Sequence, residues 1–256
     1  VTASDVEKHV ADEQPKTTTD DAKALPRAKS ASQSAREWIK SIAIALVIWF
    51  IVRSVLVEAF RIPSGSMENT LLIGDFLFVN KALYGAELPL VHKRLPAFRE
   101  PQRFDIVIFD SPEEPGVNVV KRVVGMPGDT LSMVGNVLYV NSQAVSEPHV
   151  VRSGTVYDPE DPRMRSWQLR YLVGRNPATY RPTLKNWGPI EIPPDSFFVM
   201  GDNRDNSYDS RYWGLLGRDR ISGRPLFIYY SFDKGGVTPL RFLTGVRWDR
   251  LFSTPD

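Results

Sequence analysis

Val119-Val120-Lys121-Arg122-Val123-Val124-Gly125-Met126-Pro127-Gly128-Asp129 reads as a β-strand that runs into a turn. Valines dominate its first half, and Pro127 and Gly128 punctuate its end. Side chains alternate faces along a strand, so Lys121 shares a face with Val119 and Val123, while Arg122 points the other way. A lysine between two valines on a core-facing side is out of place unless it is desolvated for a reason. Desolvation disfavours the ammonium and lowers its pKa. At the reference value of about 10.4, only about 0.04% of a lysine is neutral at pH 7. Bringing that value down by roughly 3 pH units costs about 4 kcal/mol and makes the amine a usable base. The plain alternative is a lysine on an edge strand whose head reaches water.

Working outward, the strand candidates are Phe76–Asn80, Asp105–Phe109, Val117–Val124, Phe197–Met200 and Leu226–Phe232. Gly135-Asn136 is a two-residue hairpin signal between Thr130–Val134 and Val137–Val140. Pro and Gly recur throughout, and no long helical period appears before Leu240–Phe252. Residues 142–195 combine weak periodicity with several prolines and many charges, and read as an insertion with little definite structure. The expectation is a mainly β domain.

Upstream the composition changes. Residues 1–37 are poor in large hydrophobics and read as a flexible tail. From Trp38 the chain reads WIKSIAIALVIWFIVRSVLVEAF, with Ile42–Val52 wholly apolar. Taken as a helix from Ser41 to Phe60, it spans about 30 Å, a bilayer core. A buried core helix or an interfacial helix would show a polar face, and a cleaved signal peptide would have a shorter preceding region. Arg53 and Glu58 fall near the far end, where Arg53 can reach the interface. The expectation is a single transmembrane anchor over residues 38–60. Lys23, Arg27, Lys29, Arg36 and Lys40 precede it, whereas the first basic residues beyond it are Arg61 and Lys81. The positive-inside bias then puts the tail in the cytoplasm and residues 61–256 across the membrane.

The 256 residues carry a formal net charge of +2, no cysteine and three histidines, His9, His92 and His149. The balanced charge argues against a nucleic-acid partner. Without cysteine there is no disulfide framework, thiol nucleophile or Cys-based zinc site. Three scattered histidines are a thin supply for a metal site or a Ser-His-Asp triad, and neither a metal nor a cofactor is expected. A serine nucleophile still needs a base, and Lys121 can supply one.

Two further segments carry chemistry. Ile62-Pro63-Ser64-Gly65-Ser66-Met67 follows the apolar run, and its small residues allow a tight turn that exposes a hydroxyl. Met200-Gly201-Asp202-Asn203-Arg204-Asp205-Asn206-Ser207-Tyr208-Asp209-Ser210-Arg211 packs donors, acceptors and charges densely after an apolar strand, without the spacing of an EF-hand. These two segments together with Lys121-Arg122 and Gly125–Asp129 resemble, in order, the signature segments of bacterial type I signal peptidases. The resemblance covers roughly residues 40–130 and 197–232.

The resemblance implies a membrane-bound serine endopeptidase that removes signal peptides from exported preproteins after small residues in an A-x-A pattern. Ser66 would be the nucleophile and Lys121 the general base. The Ser64 hydroxyl and the Ser66 backbone N–H would form the oxyanion hole. Ser207 would hydrogen-bond and orient the Lys121 amine, and Asp209 and Arg211 would pair to hold the site's shape. Ile62, Val119 and Val120 would line the substrate pockets. The implied partners are signal peptides and membrane lipid, at a bacterial plasma membrane. Two positions depart from the family pattern: Asn69 stands where proline is frequent, and Phe104 where a glycine commonly precedes Asp105, in a strand read here as structural.

Other readings use the same residues. A self-cleaving repressor-like protease also uses Ser-Lys chemistry, but it would carry a DNA-binding module and an internal Ala-Gly or Cys-Gly bond, and neither is visible. A membrane-anchored binding protein with an inactive dyad would need a dyad position changed, and all are intact. A penicillin-binding enzyme needs Ser-x-x-Lys on one helix, and Ser66 and Lys121 are far apart.

Overall fold

Strand β6, Asn118–Gly125, lies inside a sheet and is buried on both faces from Val120 onward, so Lys121 is no edge-strand lysine. The computed structural model describes residues 31–88, 93–152, 154, 157–233 and 241–255. Two compact units divide the chain, Val1–Ala45 and Leu46–Asp256. In chain order the strands are β1 (Val57–Arg61), β2 (Asp75–Asn80), β3 (Glu87–Leu88), β4 (Lys93–Arg94), β5 (Ile106–Asp110), then β6. There follow β7 (Thr130–Val134), β8 (Val137–Val140), β9 (Gln143–Ala144), β10 (Trp187–Glu191), β11 (Ser196–Met200), β12 (Leu216–Gly217) and β13 (Ile221–Ser231).

Seven strands form one antiparallel sheet in the order β1-β2-β13-β5-β6-β11-β12. A second sheet runs β10-β7-β8-β9, and β3 pairs with β4. The expected hairpin is present in the expected register, with Val134 opposite Val137. Its turn residues Gly135 and Asn136 both have positive φ, as a type I′ turn requires. The alternation read along β6 sorts side chains into separate cores. Val123 packs with Val107, Phe109 and Val199, and Val119 packs against that cluster. Val120 joins Ile62, Met67 and Ile106. Val124 joins Leu131, Trp187 and Phe198 in a third cluster. Gly125 permits this packing, since a Cβ there would come within 2.3–2.4 Å of Ile192 and Leu131.

Residues 142–195 hold more structure than their periodicity predicts. They supply β9, β10 and a helix, Pro162–Gln168, capped by the Asp161 carboxylate and with proline in its first turn. The Trp187-Gly188-Pro189 start of β10 and a register shift before Ile190 conceal a strand that pairs with β7. Leu240–Phe252 is not a continuous helix. Leu240 lies outside the described residues, a helix spans only Arg241–Thr244, and Val246 bridges to Phe232. There the backbone bonds to the end of β13, with Arg247 N–H donating to the Ser231 carbonyl.

The apolar run also differs from expectation. Residues 1–30, with His9 and most of the tail, lie outside the described residues, as does His92. A helix spans Ala31–Ile51, starting inside the stretch read as tail. A π-helical turn, Val52–Leu56, follows, and Val57–Phe60 belong to β1, paired to β2. Glu58, read as a flaw in a span, instead forms an ion pair with Lys81 at 3.3 Å. Among the described residues no helix is long and apolar enough to cross a membrane. The helix is largely polar over its first two turns, and its described large apolar side chains from Trp38 to Phe50 are exposed.

Candidate active site

The turn after β1 presents Ser66 in a short 3-10 turn, Gly65–Met67, anchored by fully buried Met67. Lys121 reaches it from the middle of β6. Its Nζ lies 2.7 Å from Ser66 Oγ and also donates to the Val120 carbonyl at 3.2 Å. Lys121 is 3% exposed. Burial is the main cause that lowers its pKa, from 10.5 to about 8; Asp209 opposes the shift and Arg211 assists it. The arrangement joins a hydroxyl to an amine whose pKa is brought down to about 8, which is the geometry of an activated serine.

Ser64 Oγ stands 3.5 Å from Ser66 Oγ and is exposed. Ile62, Val119 and Val120 meet Ser64, Ser66 and Lys121 around a cavity of about 220 Å³. A second cavity, of about 530 Å³, also borders both dyad residues and extends past Ser207 toward Tyr208 and Glu113.

Asp209 and Arg211 pair as expected. The guanidinium donates Nε and Nη2 to the two carboxylate oxygens at 2.8 and 2.9 Å, with both side chains buried. Gly201 N–H donates to the same carboxylate. Burial pushes the Asp209 carboxyl up, but Arg211 and these hydrogen bonds hold it below the usual carboxylate range.

Ser207 differs from its expected role. Its hydroxyl is buried and lines the cavity with Lys121, but makes no hydrogen bond to Nζ. The Lys121 amine is oriented by Ser66 and the Val120 carbonyl.

Sequence reading missed the supports of the Ser66 turn. Asn203 N–H donates to the Ser66 carbonyl at 3.1 Å, and its Nδ2 donates to the Gly65 carbonyl. Asp202 accepts both Arg122 Nε and Nη2 in a buried pair and also takes the Thr70 hydroxyl. Arg122, on the opposite face of β6 from Lys121, therefore ties that strand to the loop above it. The density of polar residues in 201–211 signalled such a network without identifying its pairs.

The two departures have backbone explanations. Asn69 has φ +87°, a conformation closed to proline, so the turn after Ser66 takes a course that proline cannot follow. Phe104 has φ +71°, where glycine is at ease. It lies in the turn before β5, not in a strand.

Gly201 has no room for a side chain. A Cβ would sit 2.3 Å from Ser207 Oγ and 2.4 Å from the Ser66 carbonyl oxygen. Gly201→Ala is expected to push the Ser66 turn away from Lys121 and cut kcat by about 10²-fold, as misplacement of a reacting group by about 1 Å does. Steady-state kinetics on the folded variant checks this, and near-normal kcat would contradict it.

The signature of the family described as "Signal peptidase, peptidase S26" matches residues 35–230. The chain is 42% identical over 214 residues to signal peptidase I of Pseudomonas aeruginosa, covering 77% of this chain and 72% of that one. It is 32% identical over 210 residues to signal peptidase I of Bacillus licheniformis, covering 81% and 95%. A crystal structure of a signal peptidase I from Enterococcus faecalis aligns with 50% of this chain and 98% of that one, at 30% identity and a TM-score of 0.34.

Proposed function

The chain belongs to the signal peptidase family, peptidase S26, and is a serine endopeptidase of signal-peptide removal; we propose that it works through a Ser66-Lys121 dyad, cleaving after small residues at a bacterial plasma membrane. The observation that carries the dyad is the 2.7 Å approach of a buried lysine amine to a serine hydroxyl, with the amine's pKa lowered to about 8.

In this reading Ser66 Oγ attacks the scissile carbonyl carbon and passes its proton to Lys121 Nζ. The Ser64 hydroxyl and the Ser66 N–H donate to the developing oxyanion, each contributing about 3–4 kcal/mol by analogy with other serine hydrolases. The C–N bond breaks, the leaving amine takes the proton from Lys121, and an ester to Ser66 remains. Lys121 then deprotonates a water that attacks the ester, and Ser66 regains its proton.

Ile62 and Val120, 3% and 6% exposed, form rigid walls of the 220 Å³ cavity because they are also part of a packed core. Those walls support a preference for a methyl group over a branched side chain. An extended substrate could reach the dyad with alternate side chains in such pockets.

Membrane attachment is part of the proposal. Its support is the run of exposed apolar side chains from Trp38 to Phe50. Residues 1–37 would be a cytoplasmic tail, the apolar helix an anchor, and residues from β1 onward the extracytoplasmic catalytic domain with its 142–195 insertion. Exposed Phe242, Leu243, Trp248 and Phe252 offer a further surface for lipid.

The test is cleavage of a preprotein whose signal ends Ala-x-Ala, using the full chain in detergent. Replacing the last Ala by Leu is expected to lower kcat/KM by about 10²-fold, from steric exclusion in a rigid pocket. Ser66→Ala is expected to abolish cleavage. Cleavage by Ser66→Ala would overturn the nucleophile, and equal cleavage after Ala and Leu would overturn the specificity.

A further inference from the structure

Residues 145–152 fall in the stretch that sequence periodicity left undefined, yet they are tied closely to the loop above Ser66. Val151 N–H donates to the Asp202 carbonyl at 2.8 Å, and Arg204 N–H donates back to the Val151 carbonyl at 3.0 Å. The buried Glu147 carboxylate takes both terminal nitrogens of buried Arg204. Asn203, between the two anchored residues, is the one that donates to the Ser66 carbonyl.

His149 sits at the middle of this strap and contacts both halves of the dyad's framework. Its carbonyl accepts Asn69 Nδ2 at 3.2 Å, on the turn that follows Ser66. Its ring packs on the Phe104 ring with centroids 5.5 Å apart. Phe104 in turn brackets the Lys121 strand, donating its N–H to the Val123 carbonyl and accepting Arg122 Nη1 at its own. Asn69 and Phe104 are the two positions that depart from the family pattern, and both hold positive φ. His149 Nε2 is buried with no hydrogen-bond partner, 3.9 Å from Asp202, so the imidazole is kept there at a cost in desolvation.

We infer that His149 is a positioning residue: its carbonyl holds the Asn69 turn and its ring holds the Phe104 turn, which together fix Ser66 in register with Lys121. The ring's shape carries the effect, and its nitrogens are dispensable. Residues 145–152 are thus a clamp on the nucleophile. The inference rests on the reading of Ser66 and Lys121 as the dyad.

The experiment measures single-turnover acylation and KM on an Ala-x-Ala preprotein, with folding checked by circular dichroism and Ser66→Ala as control. His149→Ala is expected to slow acylation about tenfold with KM unchanged, because the substrate walls Ile62, Val119 and Val120 lie outside the clamp. His149→Phe is expected to restore the rate to within about twofold, since it keeps the ring on Phe104. Phe104→Gly should slow acylation similarly, and the double variant His149→Ala/Phe104→Gly should be no slower than either alone. A folded His149→Ala that acylates at the normal rate, or a His149→Phe as slow as His149→Ala, overturns the clamp. Should His149→Ala fail to fold, Asn69→Asp serves, since aspartate tolerates the positive φ and lacks the amide donor to the strap, without the backbone freedom glycine would add. A severalfold loss of rate at constant KM supports the clamp, and a normal rate overturns it. Cleavage by Ser66→Ala would instead overturn the dyad itself.

Discussion

Lys121→Met is expected to remove at least 10³-fold of kcat while making the protein more stable at pH 7. The activity loss follows from removing the base 2.7 Å from Ser66 Oγ, since general bases contribute about 10²–10⁴-fold. The gain in stability follows from burial. An amine with a pKa of 10.5 when unfolded and about 8 when folded destabilises the fold as long as it is charged. That penalty, of the order of 3 kcal/mol, is fully present below pH 8 and fades as pH rises through 10.5, above which both states are neutral. Ser66 loses a hydrogen bond worth about 1 kcal/mol, which leaves a net gain of about 2 kcal/mol at pH 7. Denaturant unfolding at pH 7 and pH 10 checks both size and sign. The advantage of Lys121→Met should shrink at the higher pH. A variant less stable than the parent at pH 7 would show that the lysine is not strained by burial.

Arg211→Met is expected to destabilise the fold by about 3–5 kcal/mol, because it leaves the Asp209 carboxylate buried without its partner. It should also change the chemistry. Asp209 raises the Lys121 pKa and Arg211 lowers it, so the two members of the pair act in opposite directions at the amine. Removing Arg211 leaves the raising charge alone, and the pH midpoint of any surviving activity should move to the alkaline side. A loss of stability with an unmoved midpoint would mean that the pair supports the fold without tuning the base.

Local pattern was enough to expose the parts of this protein that depend on neighbouring residues. Alternation along 119–124 put Lys121 and Arg122 on opposite faces, and Gly135-Asn136 marked the hairpin. The three signature segments located Ser66, Lys121 and the Asp209–Arg211 pair. What pattern could not show is set by partners distant in sequence. Val57–Arg61 continue an apolar run that reads as helix, yet β2 offers them a ladder and Lys81 offers Glu58 a counter-ion. β10 is interrupted by Gly188-Pro189 and becomes a strand only against β7. Ser207 belongs to the right cavity, but its contacts depend on how Gly201 packs against it. His149, far from any triad-like segment, gains meaning only when Asn69 and Phe104 arrive on either side of it.

The central claim is that a buried lysine amine acts as the base for Ser66. The most direct measurement is the pH dependence of the single-turnover acylation rate between pH 6 and pH 10.5. A base with a pKa of about 8 should give a rate that rises tenfold per pH unit below the midpoint and levels off above about pH 9. At pH 7 about a tenth of the amine would be neutral, against about 0.03% at a pKa of 10.5. A midpoint near 8 that is absent from Lys121→Met supports the account. A rate still climbing at pH 10, or one independent of pH across the range, would contradict it.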